Sequence, residues 1–123
     1  MTSVLVVDDN DSNRKLAVDV LSAAGFRTFG AARAAQGIAL AREHLPDVIL
    51  MDLQLPDMNG VEATRDLAAH ERTAGIPVVA LSASPLEGSD DWLEEAGFAG
   101  WLEKPIHASR FPEQVRRYSK GNG

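Results

Sequence analysis

Five short apolar runs alternate with segments of helical spacing along this chain, and that alternation limits what it can fold into more than any other feature. The runs cover residues 4–7, 27–31, 48–51, 78–81 and 100–103, the second being the least apolar. A continuous run such as Val4-Leu5-Val6-Val7, bounded by Asp8-Asp9-Asn10, reads as a strand covered on both faces. The segments between have a different period. From 13 to 24, Leu16, Val20 and Leu21 form one stripe with Ala17 and Ala24 beside it, and Gly25 follows as a stop. Asp11 or Ser12 is expected to cap this helix. Further helices are expected over 34–44, 61–70, 89–96 and 108–119, the fourth closed by Gly97, with Pro46, Pro77 and Pro85 at junctions.

Strict strand–helix alternation repeated five times calls for a parallel sheet, because every parallel crossover is right-handed and needs a covering helix. The expected fold is an α/β, flavodoxin-like (βα)5 unit: a doubly wound five-stranded parallel sheet, strand order 2-1-3-4-5, with helices on both faces. At 123 residues the chain accommodates one such domain, taken to span 1–120 with 121–123 as a short tail.

Composition removes several classes of function. There is no cysteine, which excludes disulfides, thiol nucleophiles and thiolate metal sites. His44, His70 and His107 are far apart and read as surface residues. No apolar run approaches the roughly 20 residues needed to cross a bilayer, and no signal-peptide core follows Met1, so a cytoplasmic protein with no membrane partner is expected. A net charge of −6, with Lys and Arg clustered only near Arg116 and Arg117, argues against nucleic-acid binding.

In doubly wound sheets ligands bind beyond the carboxyl ends of the strands, where the strand order reverses. At that edge the first strand ends in Asp8-Asp9, the third in Asp52, the fourth in Ser82 and the fifth in Lys104-Pro105. Each residue alone has an ordinary explanation as a turn or cap. Together, three carboxylates on one rim repel one another unless a cation compensates them. Hard oxygen ligands without histidine or cysteine suit Mg²⁺ or Mn²⁺, and Mg²⁺ commonly completes its shell with water and phosphate oxygens.

These residues carry a family resemblance over nearly the whole chain. Val6-Val7-Asp8-Asp9-Asn10, the run from Ile49 through Asp52-Leu53-Gln54-Leu55-Pro56 to Gly60, Ala80-Leu81-Ser82-Ala83 and Lys104-Pro105 resemble, in order and spacing, the receiver domains of bacterial response regulators of the CheY-like, single-domain type. The resemblance implies a phosphoacceptor signalling module of a two-component system or phosphorelay, not an enzyme acting on a separate substrate. Asp52 would take a phosphoryl group from a phosphohistidine on a sensor histidine kinase or histidine phosphotransfer protein. Asp9, Asp52 and the backbone carbonyl of Gln54 would hold Mg²⁺ directly, with Asp8 acting through water, and Lys104 would pair with a phosphoryl oxygen. The Lys104–Pro105 peptide is usually cis in such domains.

The same resemblance makes Ser82 and Trp101 the switch pair. Serine stands where threonine is frequent and keeps the hydroxyl. Trp101 stands where tyrosine or phenylalanine is usual, and its bulk leaves three roles open: inward switch, outward anchor, or plain edge packing. Gln54 and Ser84 fall where the family tunes hydrolysis of the acyl phosphate. Asn10, Asn13, Arg14 and Leu16 fall where relatives dock kinases or phosphotransfer proteins, and the face of the last two helices and the fifth strand serves output. The downstream target is a protein the sequence does not identify, and the expected state is a monomer or a weak phosphorylation-dependent dimer. Gly60 is expected to supply positive φ in the turn before the third helix.

Alternatives remain beside this reading. The chain resembles a freely diffusing phosphorelay shuttle, favoured by Met1 and the short tail, and equally a receiver excised from a hybrid histidine kinase. A small Mg²⁺-dependent phosphatase working through an aspartyl phosphate generally needs a second acid two residues after the nucleophile, where Gln54 stands. A flavin-binding flavodoxin is disfavoured because Asp8-Asp9 would repel the flavin phosphate.

Overall fold

The computed structural model describes residues 2–53, 55–82, 95–104 and 106–119, with Ser82 described by its backbone. Five strands, β1 (Ser3–Val7), β2 (Arg27–Ala31), β3 (Val48–Asp52), β4 (Val78–Ser82) and β5 (Gly100–Glu103), form one sheet in the order β2-β1-β3-β4-β5. All four pairings are parallel. The described helices are α1 (Asp11–Ala23), α2 (Ala34–His44), α3 (Gly60–Ala69) and α4 (Phe111–Tyr118). The expected helix over 89–96 lies outside the described residues apart from Glu95 and Ala96, which are helical.

Side chains alternate across the sheet and build two cores. Val4, Val6, Leu50, Val79 and Leu81 face α1 and α4, where they meet Ala17, Leu21, Phe111 and Val115. Leu5, Val7, Ile49, Met51 and Ala80 face α2 and α3, meeting Ile38, Ala41, Ala63 and Leu67. Every residue of β3 is buried, which is why its sequence shows an unbroken apolar run rather than alternation. Each fully buried Val, Leu or Ile contributes about 1.5–3 kcal/mol from removal of apolar surface, so the sheet centre is the rigid part on which the rim is mounted.

The structure revises several local expectations. Helix α1 is capped by Asn10, whose side chain accepts from the Asn13 N–H at 2.9 Å. Asn10 is the last extended residue, so Asp11 falls inside the first turn, where its charge suits the helix dipole. Helix α4 begins at Phe111 rather than 108, because Pro112 is tolerated only in a first turn. Gly25 and Gly97 do close their helices with positive φ, +95° and +99°. His44 and His107 are exposed, as expected, but His70 is half-buried after α3.

Gly60 is required for a reason other than the expected one. It is not among the positive-φ residues; instead, a Cβ built on it would sit 2.5 Å from the Asp52 carbonyl oxygen and 2.9 Å from Leu53 Cα. Its N–H donates to the Leu53 carbonyl at 2.9 Å, which draws the start of α3 against the end of β3. Gly60→Ala should therefore destabilise the fold by about 1–3 kcal/mol through overpacking, read by urea denaturation. Stability within about 0.5 kcal/mol of native would contradict this close approach.

Candidate metal and phosphoacceptor site

Parallel strands end at one edge, and five of the expected residues arrive there from four strands. Asp8 and Asp9 are the first residues after β1, Asp52 and Ser82 end β3 and β4, and Lys104 directly follows β5. Asp52 stands beside Leu81 in register, and Ser82 beside Glu103. Asp8 is 1% exposed and Asp52 7%, whereas Asp9 is exposed.

Two carboxylates so deeply enclosed require compensation. Lys104 Nζ lies 2.9 Å from Asp8 Oδ2 and 3.2 Å from Asp52 Oδ2, and so bridges both. Burial works most strongly against the Lys104 charge, but the hydrogen bond to Asp8 and the charges of Asp52 and Asp8 outweigh it, holding the ammonium above its ordinary 10.5. Asp8 Oδ1 is also taken, accepting from the Asn10 N–H at 2.9 Å.

One carboxylate oxygen each from Asp8, Asp9 and Asp52 falls within 4.8 Å of the other two. Ligands on opposite sides of Mg²⁺ are about 4 Å apart, since Mg–O distances are about 2.0–2.1 Å. The oxygens are thus spaced to share one small cation with modest side-chain movement. Three carboxylates against one ammonium leave two negative charges at the rim, the charge a divalent ion would neutralise. The donor set is all oxygen, as a hard cation prefers.

A second ring of contacts fixes the loops that carry these groups. Asp57, in the loop after β3, accepts from the N–H groups of Ala34 and Ala35 at 2.8 and 2.9 Å. It thereby caps α2, whose own N-cap residue Arg33 makes no side-chain cap bond. The backbone bonds from Ala35 and Ala34 hold the Asp57 carboxyl below its ordinary 3.8. Sequence reading missed this contact; the signal was a helix start lacking Ser, Thr, Asp or Asn at the cap.

The remaining expected residues divide. Asn10 caps α1, Asn13 is half-buried, Leu16 is 43% exposed, and Arg14 turns inward toward the β1–α1 loop. Trp101 is half-buried and packs against the core on the α2 and α3 side. It also lines an open hollow of about 420 Å³ with Leu102, Gln114, Arg117 and Tyr118. Gln54, Ser84 and Pro105, with the expected cis peptide, lie outside the described residues, as does the Ser82 hydroxyl.

Comparison with known proteins agrees with this geometry. Residues 4–116 match the response regulator receiver domain. The polar-differentiation response regulator DivK of Brucella ovis is 39% identical over 116 residues, covering 94% of each chain. Among solved structures, chemotaxis protein CheY4 of Vibrio cholerae superposes with a TM-score of 0.90 at 27% identity, covering 96% of this chain and 98% of that one. The receiver domain of sensor histidine kinase PA1611 from Pseudomonas aeruginosa gives a TM-score of 0.85 at 31% identity, covering 95% of this chain and 96% of that one. That structure holds a magnesium ion coordinated in its active-site cleft.

Asp57 and Lys104 set opposite pH limits. Asp57, lowered in the fold, stabilises above its unfolded 3.8 and loses this as pH falls through its folded value; Lys104, raised, stabilises below 10.5 and loses this as pH rises through its folded value. Thermal melts of native protein and Asp57→Ala should differ by a constant amount at about pH 5–8 and converge in acid below 3.8. A gap that persists undiminished in that acid range would contradict the capping role.

Proposed function

The chain belongs to the response regulator receiver family and is a phosphoacceptor signalling module; from that premise we propose that Asp52 is the side chain that takes the phosphoryl group. The observation that carries this is the Lys104 bridge to Asp52 and Asp8, with Asp9 close enough to complete an acidic triad. Asp52 is the buried acid at the end of a fully buried strand, so its position is set by the sheet rather than by a loop.

A carboxylate oxygen of Asp52 attacks the phosphorus of a partner's phosphohistidine. The new P–O bond forms as the P–N bond breaks, and that electron pair stays on the imidazole nitrogen. The Lys104 ammonium, 3.2 Å from Asp52 Oδ2, keeps that carboxyl group in place. Asp9, Asp52 and the Gln54 carbonyl would hold Mg²⁺, with Asp8 acting through water, and Mn²⁺ would suit the same donors. The ion, when bound, neutralises charge on the phosphoryl oxygens. Lys104 supplies the second fixed positive charge, and alignment with charge neutralisation is what phosphoryl transfer chiefly asks of a protein.

In this reading Ser82 donates its hydroxyl to a phosphoryl oxygen and Trp101 follows as the aromatic member of the switch. Gln54 and Ser84 tune hydrolysis of the acyl phosphate. Partners are a histidine kinase or phosphotransfer protein, met through Asn10, Asn13, Arg14 and Leu16, and a downstream protein target. The receiver spans 1–120 and works in the cytoplasm; among the described residues no helix is long and apolar enough to cross a membrane. A single-domain regulator and a kinase-attached receiver are both similar to this chain, and the chemistry at Asp52 is the same in either setting.

Incubation with acetyl phosphate and Mg²⁺, followed by intact-mass measurement, tests the assignment. Native protein should gain one phosphate, and Asp52→Ala none. A phosphate on both proteins, or on neither, would sink the assignment of Asp52.

A further inference from the structure

One cation close to the acids has no part in the chemistry above. Arg14, in the first turn of α1, donates from Nη1 to the Asp8 backbone carbonyl at 2.7 Å and from Nη2 to Asp11 Oδ1 at 2.6 Å. Its side chain is only 23% exposed. The stem runs along β2 at Gly30, where even a methyl group would lie 3.4 Å from Arg14 Cδ. A charged donor on a carbonyl makes a shorter and stronger bond than a neutral one.

Asp8 is therefore held on both sides. Its N–H donates to the Ala31 carbonyl at 3.0 Å, tying it to β2, and its carbonyl is tied by Arg14 to α1. The second of these bonds restrains the plane of the Asp8–Asp9 peptide, and that plane places the Asp9 Cα and the N–Cα bond from which its side chain starts. Asp9 is exposed, so burial does not fix it.

We propose that Arg14 is a positioning residue for the cation: by anchoring the Asp8–Asp9 peptide it keeps the Asp9 carboxylate where it shares a divalent ion with Asp52, and so contributes to metal affinity. The inference rests on the reading that these acids hold Mg²⁺. It runs against simple electrostatics, because a guanidinium near three acids repels a second cation.

That opposition makes the test decisive. Mg²⁺ alone is titrated by isothermal calorimetry into the full chain, native and as Arg14→Gln and Arg14→Lys, with circular dichroism confirming that each is folded. Positioning predicts weaker binding in both variants, on the order of tenfold, as is common when a partner of a metal ligand is removed. Lysine keeps the charge but lacks the planar fork that reaches Asp8 and Asp11 together. A charge effect alone predicts tighter binding in Arg14→Gln and native affinity in Arg14→Lys. Mere structural support predicts lower melting temperatures in both with unchanged Mg²⁺ affinity. Either of those results overturns the proposal while native binding leaves the parent reading standing; absence of Mg²⁺ binding by native protein overturns both.

Discussion

Lys104 bridges two enclosed carboxylates, and the rest of the rim follows from that bridge. Asp8 and Asp52 come from neighbouring strands β1 and β3, with almost no access to water. Their repulsion would push at least one of them toward the neutral form if nothing opposed it. The ammonium at 2.9 and 3.2 Å opposes it incompletely, since Asp9 adds a third negative charge. A site left short of positive charge suits a divalent ion. The same shortfall makes it costly to the fold, so the surrounding loops have to be pinned.

Three contacts do that pinning, each at the end of a different segment. Gly60 draws α3 against the carbonyl of Asp52. Asp57 ties the loop after β3 to the start of α2. Arg14 ties the loop after β1 to α1. None of these residues belongs to the acidic triad, yet each fixes backbone within a few residues of it. The described parts of both loops are thus tied to neighbouring elements, while Asp9 is the exposed member of the acidic triad.

Much of this was legible in the sequence because the signals were periodic or positional. Five apolar runs gave the strands, and β3 reads as an unbroken run since both its faces are covered. The rim residues could be placed because parallel strands all end on one side, so residues following a strand share an edge. What stayed hidden depends on contacts between distant segments. Asp57 and the first residues of α2, Ala34 and Ala35, are more than twenty residues apart, and no local pattern marks that pairing. Gly60 was correctly singled out but for the wrong cause, because closeness to Asp52 is a tertiary property while positive φ is a local one. The cap of α1 moved to Asn10 because three neighbouring polar residues, Asn10, Asp11 and Ser12, are all competent caps and only backbone geometry chooses among them. Pro112 sets the start of α4 because its ring suits only a first turn, whereas the amphipathic spacing extends further toward the N-terminus.

A crystal structure grown with excess Mg²⁺ and a beryllofluoride mimic of the phosphoryl group tests the central claim most directly. Metal density should lie in contact with Asp9 and Asp52, with the mimic on Asp52 and Lys104 turned onto the mimic. Density placing the mimic elsewhere, or acids that point apart around a rim with no metal, would contradict it.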